Sequence, residues 1–159
     1  MLSLGMEGLV QEIYIAAYSG EPMQSMSSVE AVVGCGLRGD RYVNRTGFWS
    51  GVDDRQVTLI EAEILENIQE DTQLPVLSGE HRRNIVTRGI RLSQLLGKRF
   101  RIGEAIFEYA GPRPPCSHIQ SLTVRGTAKA LFGQRGGIAA RVLHSGIIKT
   151  QDAIQVVTE

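Results

Sequence analysis

The residues best suited to chemistry lie in "YAGPRPPCSHIQ", positions 109–120. Cys116 is one of two cysteines in the chain and directly follows two prolines. Pro114 and Pro115 fix their own φ angles and push the residues before them toward extended backbone. Proline also suits the first position of a helix. With Pro115 in that position, Cys116 falls in the first helical turn. Unpaired backbone N–H groups and the positive end of the helix dipole there favour thiolate over thiol. The neighbouring Arg113 acts in the same direction. A thiolate serves as a nucleophile, a persulfide carrier or a ligand for a soft metal. The competing reading is a small packed side chain, the commonest fate of an unpaired cysteine. His118 stands two residues on, but a zinc site wants four protein ligands, or three plus water. His81, His144 and Cys35 are remote in sequence and their spacing has no zinc-finger logic, so His118 is read as a polar surface residue.

Two further stretches carry candidate chemistry. "SGEHRRNIVTRGIR", positions 78–91, gathers Arg82, Arg83, Arg88 and Arg91 around a strand. Strand alternation sets Ile85 and Thr87 against Asn84 and Val86 and puts Arg82 on the face of Asn84. A guanidinium beside an amide makes a fork for a phosphate or a polar heterocycle, and the alternative is a solvated charged loop. "GCGLRGDRYVNRTGFW", positions 34–49, implies a tight glycine loop with a charge network of Arg38, Asp40 and Arg41. Asp40 is expected to be structural, and Cys35 to be a packed small residue. Neither a P-loop nor a glycine-rich dinucleotide fingerprint is present, and "GQRGG" at 133–137 is too degenerate to read as a phosphate loop.

These residues need a scaffold, and the rest of the chain suggests a strand-rich one. The 18 glycines separate short runs of β-branched residues. Strands are expected over 10–18, 27–33, 56–59, 84–87, 99–102, 105–109, 138–143 and 153–157. Gly103-Glu104 should close a type II′ hairpin, and Gly146 should supply a positive-φ turn. One helix is expected in "TLIEAEILENIQED", with Ile60, Ile64, Leu65 and Ile68 on one face and a capping box of Thr58 and Glu61. A short helix over 92–96 should stop at Gly97, and another is expected over 123–132. The expected architecture is a closed or strongly curved β-barrel with a few short peripheral helices. At 159 residues one domain, 1–159, is the natural reading.

Basic and acidic side chains balance at 17 each, which disfavours a dominant nucleic-acid or membrane surface. No run of apolar residues is long enough to span a bilayer, and "MLSLGMEG" lacks the character of a signal peptide. With two cysteines and no export signal, the expected home is the reducing cytoplasm, with both thiols free.

Taken in order, "GLRGDRY" at 36–42, "QVTLIEAEIL" at 56–65, "GEHRRNIVTRGIRLSQLLGKRFRIGEAIFE" at 79–108, "PRPPC" at 112–116 and "RGGIAARVLHSGIIKTQDAIQV" at 135–156 resemble the MOSC domain. That module is named after the C-terminal part of molybdenum cofactor sulfurases. The resemblance implies a β-barrel-like fold of the pyruvate-kinase-barrel type. It implies that Cys116 carries sulfur or ligates molybdenum in a bound pterin, the molybdenum cofactor (molybdopterin). The R-x-N-I pattern of the amidoxime-reducing relatives maps onto Arg82 and Asn84 as cofactor-binding residues, with Arg113 as a further contributor. A soft thiolate suits a soft metal, and Arg with Asn suits the cofactor's phosphate and pterin edge.

The chain departs from its larger relatives. The 159 residues are expected to hold neither the extra N-terminal β-domain of the amidoxime-reducing enzymes nor the pyridoxal-phosphate domain of the sulfurases, and Gln151 stands where a glycine is usual. Three expectations follow. The chain is a molybdenum-cofactor-binding protein that reduces N-hydroxylated compounds with electrons from a separate redox partner. Alternatively it is a sulfur carrier whose Cys116 persulfide comes from a separate cysteine desulfurase, or a non-catalytic β-domain that acts as a binding module. No flavin, haem or iron–sulfur motif is visible.

Overall fold

The computed structural model describes residues 8–18, 20–41, 56–112 and 136–157. Their centre is a closed barrel of seven strands: β1 (Gly8–Ile15), β5 (Val57–Glu61), β6 (Ile85–Arg88), β7 (Arg99–Ile102), β8 (Ala105–Pro112), β9 (Ile138–His144) and β11 (Ala153–Val156). Around the barrel the order is β11-β7-β8-β9-β5-β6-β1, and β1 pairs again with β11 to close it. Every neighbouring pair is antiparallel except β5 and β6, which run parallel with Leu59 opposite Ile85. A short strand β2 (Gln24–Met26) extends β1. A separate sheet holds β10 (Gly146–Lys149), β3 (Ser28–Val32) and β4 (Gly36–Leu37). The expected barrel is therefore the observed one, whereas β2, β4 and β10 were not foreseen.

The barrel interior is filled by Val10, Ile13, Leu59, Ile85, Phe100, Phe107, Val142 and Ile154 among others, with Phe100 and Phe107 stacked at 5.6 Å. Alternation sorts each strand: Leu59 and Ile85 point inward, while Ile60 and Val86 join a second, outer cluster. On β1 the inward residues Val10 and Ile13 break the period of two. A bulge between Val10 and Glu12 inserts the extra residue and restores both to the core face.

The parallel β5–β6 pair needs a crossover, and helix α1 (Ala62–Thr72) begins it. Ala62, Leu65 and Ile68 bury against Tyr14, Ile60, Val76 and Val86 outside the barrel. The capping box is a correction. Thr58 and Ile60 belong to strand β5, and the helix starts from Glu61 without a side-chain cap. The strand persists because Thr58 is held by Asn84 across the sheet, which outweighs its local helix-start signal. Leu92–Leu95 forms a single 3₁₀ turn that ends before Gly97 at φ +69. The expected helix over 123–132 lies outside the described residues.

The β7–β8 hairpin has the expected turn, with Gly103 at φ +56 and Glu104 outside the left-handed region. Gly146 is a second correction, since it begins β10 with ordinary strand geometry rather than a positive-φ turn. Its glycine serves close approach instead: a side chain there would collide with the backbone of Glu104.

Candidate functional site

The segment leading into β6 makes a tight corner. Gly79 has φ +100, and the Arg82 N–H donates to the Gly79 carbonyl at 3.0 Å. Arg82 itself is left-handed at φ +64, an uncommon conformation for a long side chain. Alternation therefore does not extend back from β6 to Arg82. Its Nη1 donates to the Glu21 carbonyl. Its own carbonyl accepts from Arg41 Nη2 at 3.2 Å. Arg41 Nη1 also donates to Asp40 Oδ1 at 3.1 Å, and the same oxygen accepts the Ala16 N–H at 3.0 Å. Asp40 is thus structural as expected, fully buried and paired with an arginine. Arg38 stands apart from this network and pairs with Glu30 on the surface at 2.7 Å.

Asn84 lies just before β6, fully buried. Its Oδ1 accepts from both the Thr58 N–H at 3.0 Å and the Thr58 hydroxyl at 3.2 Å, and its Nδ2 donates to the Tyr14 carbonyl at 3.1 Å. The amide therefore ties β1 and β5 to the start of β6. Through these bonds it supports the corner that holds Arg82.

Two residues at this corner had no assigned role in the sequence reading. Arg83 is the bulkiest fully buried side chain among the described residues, and its Nε donates to the Gly136 carbonyl at 2.7 Å. His81 is buried edge-on to the Tyr14 ring, 5.3 Å between centroids. Its Nδ1 accepts the Arg83 N–H at 2.9 Å, so in the neutral ring the hydrogen sits on Nε2, which has no hydrogen-bond partner. Burial, followed by the charges of Arg83 and Arg82, pushes the imidazole pKa down to about 3. The signal for both was the run "HRRN", which by residue type alone is indistinguishable from a solvated charged loop.

Cys116, Arg113 and His118 lie outside the described residues. Pro112, the last described residue before them, lines a cavity of about 230 Å³ together with Glu61, Leu92, Leu96, Tyr109 and Gly137. Burial raises the Glu61 carboxyl pKa, an effect opposed by the Leu92 N–H that its Oε2 accepts. Gly137 adjoins Gly136, so this cavity and the Arg83 corner meet along one stretch of backbone. Cys35 is a correction: it is exposed, in a turn between β3 and β4 where Gly34 takes positive φ, and is not packed. Among the described residues no three His, Cys, Asp or Glu side chains gather as a metal site, and no helix is long and apolar enough to cross a membrane.

A family model described as the MOSC domain matches residues 47–155. The chain belongs to the MOSC domain family. Membership makes it a molybdenum-cofactor-associated domain. The fold of this MOSC domain is shared with the YuaD protein from Bacillus subtilis, with a TM-score of 0.73 and 23% identity over 94% of both chains. It is shared with YiiM from Escherichia coli, with a TM-score of 0.68 and 19% identity over 98% of this chain and 71% of that one. YiiM from Geobacillus stearothermophilus is similar as well, with a TM-score of 0.66 and 18% identity over 96% of this chain and 74% of that one. Identities at this level speak for the fold alone. Comparison with curated proteins finds no match.

Proposed function

We propose that this MOSC domain binds the molybdenum cofactor, with Cys116 as thiolate ligand to the metal and Arg82, supported by Asn84 and Arg113, holding the anionic pterin. The observation that carries this reading is the corner at residues 79–84. There a buried, left-handed Arg82 stands between Arg41 and Arg83 at the start of a barrel strand. The donor chemistry fits the group: a guanidinium is a permanently charged planar fork of N–H donors that matches the geometry of a phosphate. Asn84 acts through the backbone it fixes. Arg83 ties the corner to Gly136, and that stretch of backbone in turn reaches the cavity bounded by Pro112. When bound, the cofactor would supply a metal centre for two-electron reduction of an N-hydroxylated compound, with electrons delivered by a separate reductase.

The reading is tested by measuring molybdenum and pterin in protein purified from a cofactor-proficient host, beside its Cys116→Ala and Arg82→Ala variants. Wild-type protein should carry both, Cys116→Ala should lose molybdenum, and Arg82→Ala should lose both. Wild-type protein with neither would overturn it. A persulfide found on Cys116 of cofactor-free protein after incubation with a cysteine desulfurase and cysteine would point to sulfur transfer instead.

A further inference from the structure

We propose that Asp40 and Arg41 are positioning residues for Arg82: together they hold its backbone in the left-handed turn and so aim its guanidinium. The inference rests on the reading of Arg82 as a cofactor-binding residue and extends it to a pair from a distant part of the chain.

The geometry forms a continuous line. The Ala16 N–H, just beyond β1, donates to Asp40 Oδ1, and that oxygen takes Arg41 Nη1. The other terminal nitrogen of Arg41 donates to the Arg82 carbonyl. Arg41 is further anchored by its own N–H on the Ala16 carbonyl at 2.7 Å and by Nη1 against Met23 Sδ at 3.5 Å. Both members of the pair are buried, and a buried ion pair is held rigidly only when hydrogen bonds satisfy it on several sides. At the far end of the line sits a residue whose φ of +64 is disfavoured for any side chain beyond glycine. Such backbone persists where its surroundings over-determine it, and it concentrates at functional sites. One guanidinium thus bridges the Asp40 carboxylate, itself held by the Ala16 N–H, to the carbonyl of left-handed Arg82. A single ammonium cannot reproduce that two-nitrogen bridge.

The amides of Arg82, Arg83 and Asn84 donate to Gly79, His81 and Thr58, so their exchange with solvent reports the turn directly. The test compares wild type, Arg41→Lys, and the double variant D40N/R41Q, which buries no unbalanced charge and is read if Arg41→Lys does not fold. Arg38→Ala is the control, being on the surface in the same motif. Hydrogen exchange of the 79–84 peptide should accelerate roughly tenfold in the Arg41 variants while the β7–β8 hairpin is unchanged. Molybdenum and pterin content should fall roughly tenfold in the double variant and less in Arg41→Lys, as for other residues that orient ligands without touching the metal. Unchanged exchange at 79–84 in the double variant overturns the proposal. So does faster exchange with full cofactor content, which would make the pair structural only. Were wild-type protein free of molybdenum and pterin, the reading of the site would fail, and the brace would then be decided by exchange alone.

Discussion

Arg83 Nε and the carbonyl oxygen of Gly136 lie 2.7 Å apart, joining the approach to β6 with the approach to β9. The arginine is 1% exposed, so this hydrogen bond forms in a low-dielectric interior where a lost partner is costly. Replacement by methionine keeps the volume and removes the donors. We expect Arg83→Met to lower unfolding free energy by about 2–3 kcal/mol, read from urea denaturation with an unchanged slope. A loss below about half a kcal/mol would show that the bond is replaced by water.

His81 should give the protein an acid-sensitive component of stability. The unfolded imidazole takes up a proton near pH 6.5, whereas the buried native one resists protonation until about pH 3. Between those values the unfolded chain binds more protons, so stability falls as pH falls. The contribution is fully present above pH 6.5 and is lost progressively toward pH 3. His81→Asn keeps an acceptor for the Arg83 N–H and removes the titration. Its stability should be flatter than wild type between pH 6.5 and 5, above the range where ordinary carboxylates titrate. Parallel curves for the two proteins would contradict the assignment.

Glycines 137 and 97 should respond very differently to alanine. Gly137 has φ +86, and an added Cβ would run into the Leu59 carbonyl of the neighbouring strand. Gly97 has φ +69 with open space around it. Gly137→Ala should cost at least about 3 kcal/mol, because β9 and β5 must separate as well as strain. Gly97→Ala should cost only about 1 kcal/mol. Thermal unfolding of the two variants side by side distinguishes them.

Cys35 is accessible, so a native thiol titration cannot be assigned to Cys116 by default. In the Cys116→Ala background the folded protein should react with one equivalent of an aromatic disulfide reagent, and Cys35→Ser should abolish that reaction. A silent Cys35 would mean that something covers the β3–β4 turn in solution. Persulfide measurements on Cys116 belong in the Cys35→Ser background for the same reason.

The barrel was legible in the sequence because its strands carry their signal locally. Arg99–Ile102, Gly103-Glu104 and the run from Ala105 declare a hairpin within a few residues, and the structure follows them closely. Strand β4, only Gly36–Leu37, and β2, only Gln24–Met26, are too short to show a period; they exist because β3 and β1 offer them an edge. Thr58 misled because its hydroxyl and the spacing to Glu61 fit a helix cap, while the partner that claimed it, Asn84, is 26 residues away. The site was legible in composition but not in arrangement. Arg82 and Asn84 stood out as candidates, yet only the fold shows that Asn84 bonds its neighbouring strands, that Arg83 is the buried link, and that Arg41, paired with Asp40, reaches Arg82. Hydrogen bonds that span forty or fifty residues leave no pattern along the chain.

The barrel closes where β1 meets β11, with Gly8 opposite Ile154. The seam joins two strands far apart in sequence. Until Ala153–Val156 has been made, β1 has an unsatisfied edge, so the nascent chain holds an open, pairing-prone sheet from the synthesis of β1 to that of β11. Pairing at such sequence distance is also slow to find. Stalled nascent chains ending before residue 153 should therefore be protease-sensitive across β1 and become resistant only once β11 clears the exit tunnel. Early resistance of β1 would mean that a partial barrel is stable without its seam.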